Sequence, residues 1–428
     1  MSDRQVSRAE PSAERAAPVG GLVRYVVAAA LARCGDAGAV VGIVLLVTSS
    51  GGSGLLAGAL AACVTAPHLL GPFVGRRLDT AADGRRVIAT ACVLYAVALA
   101  AAVLTWQAVP ALLTGVLVAA AGVCGPLLTG GISSRLPAIV GPDQRTQRRA
   151  QGWDVATYGI GGTVGPSVVA ALSGWLSPAA ALLALVVPVL VASVCVLRLP
   201  LRPPAHGGDT DAVPRPWPTL ALMARHGRLR RTGYTTMIVA VGMASLPVTA
   251  VHLTTVFGVG AAAAGVLTAT YGMGNLVGSV AVMLRPLRGE PDRLMRLLAA
   301  TVVLGLAAVV LSPGFGVAVA AYGIAGALNA AFFAATLAAR TEYAPQHARA
   351  QVFIWVAALK IASVSAGTAL AGALTGFDAR VPVIVGALLI LAAVLASLTE
   401  SRVAGSSVAA RAVTRATDRP AARRPGTR

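Results

Sequence analysis

Twelve apolar stretches, each long enough to cross a bilayer, fill the chain from Gly21 to Glu400, and the arginines between them fall almost wholly in alternate connections. A spanning helix needs about 20 mostly apolar residues, at 1.5 Å rise each, to cover roughly 30 Å of hydrocarbon. Runs such as VIATACVLYAVALAAAVLTW and PVIVGALLILAAVLASL meet that requirement. Hydrophobic residues make up 56% of the chain and charged residues 12%, which leaves a water-soluble domain more apolar surface than it can bury. The 47 glycines suit helices that pack backbone to backbone in lipid, where burial of apolar surface gives little drive between helices.

The spans are expected near 22–48, 54–75, 87–108, 111–133, 153–174, 178–198, 233–256, 261–284, 294–312, 315–338, 352–376 and 381–399. A formal charge of +19 raises the question of nucleic acid, but the basic residues stand in short connections and tails beside apolar runs. They are read as determinants of orientation, with no nucleic-acid partner. Their bias puts both termini in the cytoplasm and the protein in the inner (cytoplasmic) membrane. The expected organisation is a polar tail (1–20), a six-helix lobe (21–199), a cytoplasmic linker (200–231), a second six-helix lobe (232–400) and a basic tail (401–428). The first apolar run is too long, and lacks the A-x-A site, for a removable signal peptide. Within the linker, Pro218 to Arg230 reads equally as a short amphipathic helix on the anionic leaflet or as a basic loop. Arg149-Ala150-Gln151 recurs as Arg349-Ala350-Gln351 in the corresponding connection of the second half, which points to two repeats. The expected fold is therefore an all-α integral membrane protein of twelve transmembrane helices in two six-helix lobes.

Five cysteines lie inside the spans with no CxxC spacing, so neither a disulfide framework nor a metal site is expected. The sequence lacks GxxxxGK[ST], HExxH and a Ser-His-Asp arrangement. That pattern speaks against an enzyme, an ATP engine or a cofactor, and leaves an ion gradient as the source of energy.

At the end of the second span stands GPFVGRRLDTAADGRRV. Gly75 lets a neighbouring helix approach, Asp79 is able to accept hydrogen bonds from a helix N-terminus, and Gly84, Arg85 and Arg86 complete a basic turn able to meet carboxylates and carbonyls. The fifth span carries GIGGTVGPSVVAALSG, where Gly161 and Gly165 share one face and Pro166 removes a backbone donor. These two motifs, with the six-plus-six division, resemble the major facilitator superfamily and most nearly its drug-efflux branch. About two extra residues separate Asp79 from Gly84, Val169-Ala170 replaces the family's Gly-Gly, and no arginine stands in the fourth span. The resemblance implies a secondary exporter of small hydrophobic or amphipathic compounds, a monomer in the bilayer, driven by protons through alternating access. Import of a small metabolite, and a receptor or partner that kept the fold without transport, are the other readings.

Charges inside spans are expensive and point to function or to a partner. Asp36 and Arg33 stand three apart on the first span, so they share a face. They form either a proton or cationic-substrate site with its neighbour, or a local ion pair that supports packing. Lys360, the single lysine, is placed to face Asp36, to bind an anionic substrate, or to snorkel toward the interface. Asp154, at the expected start of the fifth span, suits a gating contact with the Arg76–Arg86 connection. His68 and His252 are able to titrate near neutral pH. Tyr322 and Asn329, with Phe332 and Phe333 nearby, and Tyr271 and Asn275 on the eighth span, are cavity candidates, although helix-to-helix hydrogen bonding explains the asparagines as well.

Overall fold

The computed structural model describes residues 19–201, 215–260 and 263–417. The expected tail 1–20 lies almost entirely outside them, as do the middle of the linker and the last eleven residues. Among the described residues twelve helices are long and apolar enough to cross a membrane: Gly20–Ser49, Leu56–Thr80, Gly84–Leu104, Ala111–Val140, Gln144–Trp175, Pro178–Leu197, Gly227–Val256, Ala263–Leu284, Pro291–Val310, Phe315–Tyr343, Gln346–Leu374 and Val381–Arg402. No strand occurs among the described residues.

Several helices outrun their apolar windows, because a window measures hydrocarbon while a helix ends where its backbone finds a cap. Asp143 accepts from Thr146 N at 2.7 Å, so the fifth span starts at Gln144 rather than near 153. Asp83 caps the third span through Arg85 N, and Ser177 the sixth through Ala180 N. The seventh span begins at Gly227, inside the expected linker, and the last helix continues to Thr417, into the expected tail.

Each half has its own apolar core. The first gathers Tyr25, Ile88, Leu99, Leu128 and Leu182; the second gathers Leu253, Leu306, Tyr322, Phe332 and Ile390. A smaller cluster containing Val155, Val282, Phe333 and Phe353 lies between them, where the fifth span meets the eighth and tenth. The second and fourth spans meet the eleventh.

Small residues set the closest approaches. A Cβ added to Gly161 would come within 3.0 Å of Arg33 C, and one on Gly165 within 3.0 Å of Cys34 Cα, so the fifth span lies directly on the first. Pro166 follows without ending the helix, which runs to Trp175. In the second half Gly274 and Gly278 lie against Gly323 and Ala327, and Gly367 against Val241.

The undecided linker segment forms a helix at Pro216–Arg225. It packs on protein: Trp355 Nε1 donates to Pro216 O at 3.1 Å, and Thr219 Oγ1 to Gln351 Oε1 at 3.1 Å. Trp217 sits between the rings of Phe73 and Trp355, each 6.0 Å away.

Candidate functional site

Alternation of twelve spans brings the arginine-bearing connections to one face, and the polar contacts between the halves gather there. Asp79, at the end of the second span, accepts from the backbone N–H of Ala350 at 3.1 Å and of Gln351 at 2.9 Å. A carboxylate on the free donors of a helix start satisfies both groups and complements the helix dipole. Gly75, one turn earlier, is seated against Ile354, where a Cβ would approach to 2.8 Å. Arg148 adds a second tie. Its guanidinium, 2% exposed, donates to Glu342 Oε1 at 2.7 and 3.0 Å and to Gly289 O at 3.0 Å.

The turn arginines do something else. Arg85 meets Asp83 at 3.0 Å and Leu199 O at 2.8 Å, while Arg86 is 82% exposed and 3.7 Å from Asp83. Asp83 belongs to the two-residue extension of the motif, and it captures both arginines inside the first half. Hydrogen bonds from the Arg85 side chain and backbone hold its carboxyl below the usual carboxylate range. Gly84 leaves room for the guanidinium of Arg135, which donates to Leu78 O at 3.4 Å. Of the expected turn, Asp79 and Gly75 reach the other half and Arg85 does not.

Replacing Asp79 with Ala leaves two helix-start donors without an acceptor. The arrangement with the two halves in contact at this face is expected to lose about 1–3 kcal/mol, roughly a 5- to 150-fold change in its population. Distances between spin labels on the second and eleventh spans would read the shift, and unchanged distances would exclude the latch.

Deeper in the first half, Arg33 turns away from Asp36. Its Nη1 meets Asp154 Oδ1 at 2.8 Å and also bonds Thr157, and its Nη2 donates to Ser133 Oγ at 2.8 Å. Tyr25 Oη and Ser133 Oγ donate to the same carboxylate at 2.6 and 2.8 Å. Asp154 is therefore a 1% exposed counterion about three turns into its helix, not a surface contact of the Arg76–Arg86 turn. The early helix start at Gln144 accounts for the difference. The guanidinium also covers the Tyr158 ring, 3.5 Å from its centre.

Asp36 faces His68 instead, with Oδ2 3.7 Å from His68 Nε2. His68 Nδ1 is 3.1 Å from Val64 O, and a carbonyl only accepts, so Nδ1 carries a hydrogen. In neutral His68 the Nε2 lone pair would then confront a carboxylate oxygen. One proton placed between them, on either residue, removes the conflict. Neither Asp36 Oδ1 nor His68 Nε2 has another hydrogen-bond partner. His252, by contrast, is 3.0 Å from Val248 O through Nδ1, within its own helix.

Lys360 does not pair with Asp36. Its Nζ lies 3.7 Å from the centre of the Phe333 ring, and no carboxylate among the described residues is within ion-pair distance. Of the cavity candidates, Tyr322 is buried and its hydroxyl is spent on Leu246 O at 2.9 Å, so it belongs to the core of the second half. Asn329 Nδ2 donates to Asn275 Oδ1 at 3.3 Å, and Tyr271 bonds Asn275, which ties the tenth span to the eighth.

Sequence reasoning missed Arg148 and Arg340 as anything but orientation charges. Arg148 precedes the repeated Arg-Ala-Gln, a signal that was available; the burial of Arg340 had none.

The family model described as Major Facilitator Superfamily matches residues 25–289. The chain is 30% identical over 215 residues to an uncharacterized MFS-type transporter, y4rN, of Sinorhizobium fredii. That alignment covers 49% of this chain and 52% of the relative, so the chain spans about half the length of the curated relative it matches. Among solved structures it is similar to the E. coli fucose:proton symporter FucP, with a TM-score of 0.71, 12% identity, and 90% and 99% of the two chains covered. It is also similar to the human organic anion transporter MFSD10 (TETRAN), with a TM-score of 0.68, 16% identity, and 89% and 100% covered. At these identities the likeness shows the fold alone. The family match, covering more than half of the chain, and the twelve-helix architecture lead to one conclusion: this chain belongs to the Major Facilitator Superfamily, a family of membrane transporters and not of enzymes.

Proposed function

We propose that the protein is a proton-coupled exporter of small hydrophobic or amphipathic compounds, of drug-efflux type, in the cytoplasmic membrane. The arginine-rich face is then cytoplasmic, and both termini lie on that side. The observation that carries the coupling is the Asp36–His68 pair, whose two facing lone pairs make a place for one proton inside the first half. In the arrangement described, Asp79 and Arg148 close the cytoplasmic side. A proton entering from outside settles between Asp36 Oδ2 and His68 Nε2. Rupture of the Asp79 contact opens the cytoplasmic side, where the proton leaves and substrate enters. The Gly161–Gly165 face on the first span supports the exporter reading.

Efflux-deficient cells expressing the protein, loaded with a panel of fluorescent amphiphiles, are expected to accumulate at least one dye less than control cells. A protonophore should remove the difference. Greater accumulation in expressing cells would make it an importer, and a difference that survives the protonophore would exclude proton coupling.

A further inference from the structure

Among the described residues Arg340 is the largest fully buried side chain, and none of them supplies it with an acid of its own. It stands one turn before the end of the tenth span. Its Nη2 reaches Thr336 Oγ1 at 3.4 Å, its Nε has no partner, and no carboxylate among the described residues lies within ion-pair distance. A guanidinium carries five N–H donors and keeps its charge, so such burial is costly unless something negative joins it. The acid that acts on it at longer range is Asp154, already filled by Arg33, Tyr25 and Ser133.

A second cation lies beside it. The Phe333 ring has Lys360 Nζ 3.7 Å from its centre and Arg340 Cζ at 6.0 Å, and the Phe353 ring has Arg340 at 5.8 Å. Aromatic faces offset part of each charge but leave the net charge in place. Tyr158, edge-on to Phe333 at 5.0 Å, brings in the first half with Arg33 above its ring. Arg33 and Asp154 neutralise one another, so Arg340 and Lys360 remain as two positive groups at the seam of the halves. A small crevice between the halves, lined by Gln151, Asp154, Leu337, Thr341 and Phe353 among others, adjoins the Arg340 turn of the tenth span.

We propose that Arg340 and Lys360 form a binding site for a soluble organic anion, an amphipathic carboxylate or sulfonate whose apolar body rests on Phe333 and Tyr158. This names the substrate class of the exporter reading and rests on it. Two cations with no acid among the described residues within ion-pair distance of either repel a lipophilic cation and welcome its anionic counterpart. An anionic headgroup with a flat apolar body matches both the charge and the rings.

The test is binding to the purified full-length protein in detergent, read as a rise in melting temperature. Two dyes share a xanthene body with opposite charge, carboxyfluorescein and a cationic rhodamine; naphthalene sulfonate and neutral naphthol form a second pair. The anion of at least one pair is expected to stabilise wild type, and its uncharged or cationic partner to leave it unchanged. Loss of one charged hydrogen-bond donor in Lys360→Gln or Arg340→Gln should raise the half-saturating concentration at least about tenfold, with Lys360→Arg retaining most of the affinity. Should Arg340→Gln fail to fold, the two Lys360 variants decide alone. The proposal is overturned if neither anion stabilises wild type, if the partners stabilise equally, or if Lys360→Gln binds like wild type. Binding is measured without a gradient, so it can fail while export stands, and the dye-efflux result can fail while binding stands.

Discussion

Asp154→Ala should leave little folded protein in the membrane. The substitution strands Arg33 as a buried cation and takes an acceptor from Tyr25 and Ser133 at the same time. Breaking a buried ion pair by removing one partner costs about 3–5 kcal/mol, because the remaining charge is left without compensation. Membrane abundance and the melting temperature of the purified protein report the loss. Replacing both partners, Arg33→Leu with Asp154→Leu, removes the stranded charge and should recover most of the abundance. Equal abundance of wild type and Asp154→Ala would show that the pair contributes no stability.

Asp36→Asn, by contrast, should fold normally and stop gradient-driven flux. The Asn amide is able to donate to His68 Nε2, so the lone-pair conflict disappears without a proton, and the site loses its reason to bind one. Flux driven by a pH gradient should fall to background in reconstituted vesicles, while exchange of substrate across the membrane without a gradient continues. The charged groups near the pair are few. Tyr95 interacts with Asp36 at longer range, Gly125 lies against both side chains, and Arg33 one turn away is held by Asp154. Gradient-driven flux that survives in Asp36→Asn would move the coupling site elsewhere.

The spans and the division into halves were legible because length and hydropathy are properties of a chain segment alone. Asp79 was legible too, since a short acid after a helix-packing glycine already suggests a helix start as its partner. Partner choice among the buried charges was not. Three residues along a helix bring Arg33 and Asp36 to one face, yet Gly161 and Gly165 let the fifth span come so close that Asp154 takes the arginine. That competition is decided between helices far apart in sequence. Asp36 is then released to His68, which reading along the first span had no means of finding. Arg340 was counted with the orientation charges because it stands near a span end, and only the packing of the halves shows it enclosed.

Asp79 holds main-chain amides, not side chains, at the start of the eleventh span. Mutational drift at Ala350 and Gln351 therefore leaves its partners in place, since every residue except proline presents the same N–H. The contact is genetically one-sided: its tolerance lies in the helix it grips, and its fragility is concentrated in a single codon.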